Sequence, residues 1–241
     1  MRRQPFVLET PRLILRPLAE EDVGAIHRLY AEWDVAKSLS RIAHPFSVEA
    51  ARRLIAEASA AFRQGSGYTL GMFERQGGAF VGVVSLRIPS ADPALPGEER
   101  ADDAGLGILG YSVARPRWGQ GFASEGAKRV VEFALDDLGL DRLQASPLRE
   151  NPASRRILER LGFAMVEAGI AEEPLYGGPP RLADRYLLTA QRRRRRAVVA
   201  HGGSTPVEPV GVLRLSVGPG RRRRHHHSGA PRPGDPPGPA Q

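Results

Sequence analysis

A short run of small residues between a strand pattern and a helix pattern is the part of this sequence best suited to bind phosphate. The run, Trp118 to Ser124, reads WGQGFAS. Glycines at such a turn let a ligand approach the main chain, and the first turn of a helix has N–H groups without acceptors inside the helix. Those donors, with the positive end of the helix dipole, favour an anion such as pyrophosphate. Two glycines at a strand-to-helix turn are also an ordinary structural device, so the run alone leaves both interpretations open.

The flanking elements would hold this run between a central strand and an amphipathic helix. Leu109, Tyr111 and Val113 fall at a spacing of two, which is typical of a strand, and Pro116 ends the pattern. From Ala123 onward, apolar residues recur at the 3.6-residue period of a helix with one buried side. The predicted order is therefore strand, turn and helix, with the glycines at the turn.

The same two periodicities predict the remaining elements. Strands are expected at 8–17, 68–74, 80–88, 107–113, 142–145, 164–167 and 184–189. Helices are expected from Glu20 towards Tyr30, from Val48 to Phe62 with Ser47 as its N-cap, and from Ala153 to Leu161. The strands at 68–74 and 80–88 flank two glycines, which indicates an antiparallel hairpin.

The composition of the chain excludes several classes of site. None of the 241 residues is Cys, so a disulfide framework, a thiolate metal site and a Cys nucleophile are excluded. Before residue 190 the only histidines are His27 and His44, too few to suggest a histidine metal centre. No apolar run approaches the ~20 residues of a membrane span, and the N-terminus has no apolar core of signal-peptide length. We expect a cytoplasmic protein without a metal or a membrane contact.

The basic charge of the chain belongs to its last 51 residues. Residues 191–241 carry a net charge of +9, against +8 for the whole chain, and contain the runs Arg192–Arg196 and Arg221–Arg224. Eight Pro and eight Gly accompany them, a composition that cannot bury enough apolar surface to offset the entropy of ordering. We therefore predict one domain at 1–190 and a disordered tail at 191–241. The Arg runs would suit a weak contact with nucleic acid, or the tail is a solvated extension.

Three segments, in order, resemble the GNAT superfamily of N-acetyltransferases. GYSVARPRWGQGFASEGAKRVVEFAL resembles the acyl-CoA-binding segment of that family, with Gly121 and Ala123 at the fourth and sixth motif positions and Trp118 departing at the first. ETPRLILRPL and RENPASRRILERLGF are similar to segments of the branch that acetylates ribosomal-protein N-termini (the Rim-type branch). The resemblance covers about residues 8–190. It implies an α/β fold with a mostly antiparallel, splayed central sheet flanked by helices.

The resemblance also implies acetyl-CoA as co-substrate, and no metal. By family analogy, the main chain of Tyr111 to Val113 pairs with the pantetheine arm like an extra strand, and the loop from Gly119 to Ser124 takes the pyrophosphate. Asn151 matches a family position whose side chain contacts the cofactor, although Asn there is equally suited to cap the last helix. The implied cofactor-binding residues are Tyr111, Ser112, Val113, Gly119, Gln120, Gly121, Phe122, Ala123, Ser124 and Asn151.

The catalytic residues of the family are not all present at the matching positions of this sequence. The tyrosine that many relatives use as proton donor falls on Leu158, and their glutamate base falls on Ser146. Ser154, three residues after Asn151, matches a serine of the Rim-type branch that is placed to protonate the CoA thiolate. A serine at this position would equally cap the helix. The base is left unassigned, with the acidic loop at 98–103 acting through water, or bulk solvent, as the alternatives.

The predicted function is transfer of an acetyl group from acetyl-CoA to a primary amine, by a monomer or a homodimer. The acceptor would be a protein N-terminus or a small molecule. Two alternatives stay open. The missing tyrosine is compatible with an acetyl-CoA-binding sensor that keeps the fold without turnover. The Arg-rich tail is compatible with a protein that associates with RNA or ribosomes.

Overall fold

Eight strands form one open sheet in the computed structural model, which describes residues 6–89, 105–172, 174, 177–191 and 193. The strands are β1 (Leu8–Glu9), β2 (Leu13–Pro17), β3 (Gly67–Glu74), β4 (Phe80–Arg87), β5 (Leu106–Val113), β6 (Arg142–Ala145), β7 (Ala164–Glu172) and β8 (Arg181–Thr189). Their order across the sheet is β1-β2-β3-β4-β5-β6-β8-β7. Only the β5–β6 pair is parallel among these neighbours. The predicted α/β fold with a mostly antiparallel sheet is confirmed.

Helices pack on both faces of the sheet. They are α1 (Val23–Ala31), α2 (Trp33–Ala36), α3 (Val48–Gln64), α4 (Phe122–Glu132) and α5 (Pro152–Leu161). Adjacent residues of a strand point to opposite faces, and Val83 and Val84 of β4 accordingly belong to two different cores. The core around Val83 includes residues of α1 and α3, and the larger core around Val84 includes residues of α4 and α5.

Close packing of α4 against the sheet depends on Gly126. A Cβ at this position would lie 2.4 Å from the sulfur of Met72 on β3, well inside van der Waals contact. The absence of a side chain thus lets the helix approach the sheet closely. This packing fixes the start of α4 relative to the end of β5, where the predicted binding loop lies.

The sheet splays apart between β5 and β6. On one side, β5 pairs with β4 along its length, as far as Val113 opposite Gly82. On the other side its pairing with β6 ends where Ile108 lies opposite Gln144. The last five residues of β5 therefore border a gap in the middle of the sheet.

The predicted elements occur in the predicted order, but several bounds differ and the short helix α2 was not predicted. The helix expected from Ala123 onward is α-helical only to Glu132 and continues as a π-helical turn over Phe133–Asp137, and the strand expected at 184–189 begins at Arg181. The strand expected at 8–17 is two short strands, because Pro11 has no N–H for the ladder and the Thr10 hydroxyl accepts the Leu13 N–H at 2.8 Å, which closes a turn. The strand expected at 164–167 continues to Glu172, since its pairing with β8 continues through two bulges. Ser47 caps α3 as predicted, accepting the N–H of Ala50 at 3.1 Å.

Two predicted segments lie almost wholly outside the described residues. These are the acidic loop at 89–103 and the tail at 191–241. In the described part of the chain, no helix is long and apolar enough to cross a membrane.

Deleting residues 191–241 is expected to leave the melting temperature and the affinity for CoA unchanged. Among the described residues β8 is the last strand of the sheet along the chain; it ends at Thr189, and the Ala190 N–H donates to the Asp141 carbonyl at 2.9 Å, so all eight described strands precede the tail. The deletion removes the ion pair between Arg193 and Asp136, which is exposed and worth at most about 1 kcal/mol. Calorimetry and thermal melts of both forms check this. An insoluble truncated protein would show the tail to be structural.

Candidate functional site

The half of β5 beside the gap directs alternate main-chain groups towards β4 and towards the gap. The N–H of Ala114, directly after the strand, donates to the Val81 carbonyl at 2.9 Å. This bond shows which opposite pairs of β4 and β5 are hydrogen-bonded. Bonded pairs alternate along an antiparallel ladder, so the main chain of Ser112 bonds to β4. The main-chain groups of Tyr111 and Val113 consequently point into the gap.

This geometry narrows the predicted strand contacts to Tyr111 and Val113. The Val113 carbonyl accepts the indole N–H of Trp118 at 2.7 Å, so a ligand would meet Val113 through its N–H. Ser112 is engaged elsewhere, because its main chain faces β4 and its hydroxyl lies 3.1 Å from the hydroxyl of Tyr30. An extended ligand would thus pair with β5 through alternate residues, as a neighbouring strand does.

The loop after β5 presents unpaired amide groups at the start of α4. Gly119 and Gly121 have φ angles of 74° and 82°, a left-handed conformation that glycine adopts without strain. Gly121 is the N-cap of α4 and has no side chain with which to cap it. The amide of Glu125 donates to the Gly121 carbonyl at 3.0 Å, whereas the amides of residues 122–124 precede the first intrahelical bond. These donors fit the pyrophosphate predicted for this loop.

Arg12, in the turn between β1 and β2, holds this loop against α4. Its Nε donates to Glu125 Oε2 at 2.7 Å, and its Nη1 donates to the Gln120 carbonyl at 3.0 Å. Its guanidinium lies 4.5 Å from the centre of the Phe122 ring. The hydroxyl of Thr10 donates to Glu125 Oε1 at 2.6 Å. Because the Arg12 side chain is 48% exposed, it also places a positive charge at the edge of the loop.

The Glu125 carboxylate is kept ionised by these partners. Burial would raise its pKa, but the hydrogen bonds from Thr10 and Arg12 together outweigh burial and hold the pKa below its ordinary value. A lowered pKa in the folded state means that the carboxylate contributes stability above its unfolded pKa, about 4.3. That contribution is lost as the pH falls through the folded value. The loop is therefore secured at neutral pH and released only in acid.

Replacing Arg12 with glutamine is expected to weaken CoA binding about tenfold, because a charge-assisted hydrogen bond is worth ~1.5–3 kcal/mol and part of that is lost with the loop geometry. The measurement is isothermal calorimetry at neutral pH. Arg52→Gln is the control, since Arg52 lies on α3 in an exposed ion pair with Glu20, outside this network. Equal affinities of the Arg12 variant and the wild type would show that Arg12 does not support the loop.

The first turn of α5 brings Ser154 against the side chain of Tyr111 on β5. Asn151 is the N-cap, and its side-chain oxygen accepts the Ser154 N–H at 3.0 Å. Pro152 takes the first helical position, where a missing N–H costs nothing. Ser154 is therefore the third residue of the helix. The cap interpretation is confirmed for Asn151 and wrong for Ser154, whose hydroxyl makes a different contact.

That contact is with Tyr111, which joins β5 to α5. The Tyr111 hydroxyl donates to the Ser154 main-chain carbonyl at 3.1 Å and lies 2.9 Å from Ser154 Oγ. Burial raises the pKa of Tyr111 to about 12, and its hydrogen bond with Ser154 only partly opposes this. The phenol is therefore protonated at neutral pH. The predicted catalytic serine and the predicted strand residue thus meet through the tyrosine side chain.

The other positions considered for catalysis add no polar side chain to the pair of Tyr111 and Ser154 in the described structure. Leu158, where relatives have a tyrosine, is fully buried in the core. The acidic residues at 98–103 lie outside the described residues. Across the part of the chain that is described, no group of three or more His, Asp or Glu side chains is placed to hold a metal ion.

Sequence patterns did not indicate Arg12 or the side-chain role of Tyr111. Arg12 and Glu125 are 113 residues apart, and no local periodicity connects them. A weak signal was available, since Arg12 falls inside ETPRLILRPL, one of the segments that carries the family resemblance. For Tyr111, the strand pattern indicated only an inward-facing aromatic side chain.

The splayed sheet, with a glycine turn and a helix after the splayed strand, defines an acyltransferase of the GNAT architecture. A family model described as "Acetyltransferase (GNAT) domain" matches residues 12–164. The chain belongs to this acetyltransferase family. The resemblance seen in the sequence is confirmed.

Individual relatives agree with this assignment. The chain is 28% identical over 187 residues to "Uncharacterized N-acetyltransferase YoaA" of Bacillus subtilis (strain 168), covering 77% of this chain and 98% of the relative. It is 31% identical over 170 residues to "FsC-acetyl coenzyme A-N(2)-transacetylase" of Aspergillus fumigatus, and the matched region covers 69% of this chain and 68% of that relative. The fold is similar to that of RimL, a ribosomal L7/L12 alpha-N-protein acetyltransferase solved with coenzyme A. That similarity has a TM-score of 0.65 at 18% identity and covers 76% of this chain and 98% of RimL.

Proposed function

We propose that this protein transfers an acetyl group from acetyl-CoA to a primary amine. The observation that carries the proposal is the gap beside β5, where the main chain of Tyr111 is not paired with another described strand and the Tyr111 side chain contacts the hydroxyl of Ser154 at 2.9 Å. Acetyl-CoA supplies an activated acyl group. The carbon–nitrogen bond to the amine forms as the carbon–sulfur bond breaks, and one proton leaves the amine while one is gained by the thiolate.

Binding is assigned to two adjoining parts of the chain. The main chain of Tyr111 and the N–H of Val113 would hydrogen-bond an extended pantetheine arm, and the N–H of Tyr111 is placed to polarise a carbonyl in the gap. The loop from Gly119 to Ser124 would hold the pyrophosphate through the free amides of α4. Gln120 contributes its main chain, because its side chain turns back to donate to the Pro116 carbonyl at 2.9 Å.

Asn151 has a different part in the proposal. Its side-chain oxygen is used to cap α5, so its contribution is to place the first turn of that helix beside the gap. A ligand contact by the remaining amide N–H₂ group is compatible with this cap, because the amide has two further donors.

Ser154 is proposed to protonate the departing thiolate. Its hydroxyl lies 2.9 Å from that of Tyr111, whose main chain borders the gap, and the helix N-terminus around it favours negative charge. A thiol has a pKa of ~8.5, so a thiolate needs only modest help at neutral pH. A hydroxyl can give that help directly or through one water molecule. The general base stays unassigned, and deprotonation of the amine by bulk solvent suffices for the proposal.

The acceptor is proposed to be a protein N-terminus or a small-molecule amine. The similarity to RimL favours the first, and the relative named as an FsC N(2)-transacetylase favours the second. The test is release of free CoA thiol from acetyl-CoA in the presence of a panel of amines and of peptides with free N-termini. Thiol release that requires an amine supports the proposal. CoA binding without any amine-dependent thiol release would instead identify a sensor.

A role of the tail in RNA binding would have a separate signature. Eleven arginines in 191–241 would give an affinity for RNA that falls steeply with salt. Binding by the full chain and not by the truncated chain, measured at two salt concentrations, would support this second activity. It would leave the acetyl-transfer proposal unchanged, because the catalytic candidates lie before residue 191.

A further inference from the structure

Two tyrosine–serine pairs lie on opposite faces of the sheet at β5, which supplies the tyrosine of one pair and the serine of the other. Tyr111 lies 2.9 Å from the hydroxyl of Ser154, on the side of α5. Tyr30 lies 3.1 Å from the hydroxyl of Ser112, on the side of α1. Both phenols are largely buried, so their geometry is fixed by packing. The two pairs differ in the part given to the serine: Ser154 is the proposed proton donor, whereas the main chain of Ser112 faces β4.

The Tyr111 phenol contacts two oxygen atoms of one residue. It donates to the Ser154 carbonyl at 3.1 Å and is within hydrogen-bond distance of Ser154 Oγ. A serine within a helix otherwise tends to rotate its hydroxyl back onto a carbonyl of the preceding turn. The phenol competes with that conformation, because it offers Oγ a partner on the gap side. Of the three staggered positions open to Oγ, the contact therefore selects one.

We propose that the phenol of Tyr111 is a positioning residue that holds the Ser154 hydroxyl in the orientation needed to protonate the thiolate, an inference that rests on the proposed function of Ser154. The phenolic O–H can turn from the Ser154 carbonyl to Ser154 Oγ without moving the ring, since it lies within 3.1 Å of both. When it donates to Oγ, the proton of Ser154 is free to point into the gap.

The buried phenol is suited to this task because it does not ionise. Its pKa, raised by burial to about 12, keeps the donor proton in place throughout the neutral range. A tyrosine side chain also has only two rotatable bonds and is packed against the larger core. Because the Tyr111 hydroxyl contacts both oxygen atoms of Ser154, its proposed action is through that residue.

The test is a double-mutant cycle of Tyr111→Phe and Ser154→Ala, with kcat and the KM for acetyl-CoA measured for all four proteins. We expect Tyr111→Phe to lower kcat about tenfold and to change KM less than about twofold. In the Ser154→Ala background the same change should lower kcat less than about twofold, because the group that it positions is gone. Tyr30→Phe is the matched control, and its kcat should stay within about twofold of the wild type.

Each outcome is decisive. An equal loss of kcat in both backgrounds, or no loss with Ser154 present, overturns the positioning role while leaving Ser154 as the donor. A Ser154→Ala protein with wild-type kcat overturns the donor assignment and the inference with it. A loss of kcat in Tyr30→Phe equal to that in Tyr111→Phe also overturns the positioning role, because Tyr30 contacts Ser112 and not Ser154. Thermal melts show whether each variant is folded at the assay temperature.

Discussion

Replacing Ser154 with alanine is expected to lower kcat by about 100-fold, with the affinity for acetyl-CoA and the melting temperature nearly unchanged. General acid assistance is typically worth ~100- to 10,000-fold, and the lower end applies because a thiolate is a good leaving group. Stability should change little, because Asn151 caps α5 and the Ser154 side chain does not. The measurements are steady-state kinetics, calorimetry with CoA and a thermal melt.

A serine that does cap a helix provides the control. Ser47 accepts the N–H of Ala50 at the start of α3, away from the gap. Ser47→Ala is expected to cost ~1 kcal/mol of stability and to leave kcat unchanged. If Ser154→Ala behaves in the same way as Ser47→Ala, the donor assignment is wrong.

Replacing Gly121 with valine is expected to remove most of the affinity for CoA, by about 100-fold or more. Gly121 is the N-cap of α4, and a Cβ there would lie 3.4 Å from Arg12 Nη2, so we expect a valine side chain to occupy space that the pyrophosphate would need. The φ of 82° adds strain, because a β-branched residue rarely adopts it. Calorimetry with CoA measures the loss.

The control is a glycine that also has a positive φ but lies outside the candidate binding loop. Gly139 follows the end of α4 with a φ of 70°, and among the described atoms a Cβ there meets nothing within 4 Å. Gly139→Val is therefore expected to lower the melting temperature and to leave CoA affinity intact. CoA binding by Gly121→Val at wild-type strength would show that the cofactor lies elsewhere.

The fold followed from the sequence because its elements have clear local signals. The hairpin strands β3 and β4 are rich in aromatic and β-branched residues and flank Gly77 and Gly78, and helix α3 has a serine cap and an apolar side. Each signal lies within about 20 residues of chain, and local periodicity covers such distances. The length of β7 did not follow, because two bulges interrupt its alternation while its pairing with β8 continues.

The site followed from the sequence only in part. The glycine loop was visible because residue type and spacing determine it. The hydrogen bonds of Arg12 to Glu125 and Gln120 could not be predicted, because they depend on how the β1–β2 turn meets α4 in the folded protein. The sequence also did not show which of Asn151 and Ser154 caps α5, because Asn and Ser suit the N-cap position equally well. Only the register of the helix shows which of Asn151 and Ser154 occupies it.

The half-paired β5 also bears on solubility and shelf life. Unpaired N–H and C=O groups along a strand are a template on which another extended chain can add, and proteins usually protect such edges. Here the edge lies in the interior of the sheet, where no strand among the described residues pairs with the main chain of Tyr111 or with the N–H of Val113. A ligand that pairs with it would cover the edge and, at 100 times its Kd, would add ~2.7 kcal/mol to the stability of the native state. Storage with CoA would then protect the protein from self-association as well as from unfolding.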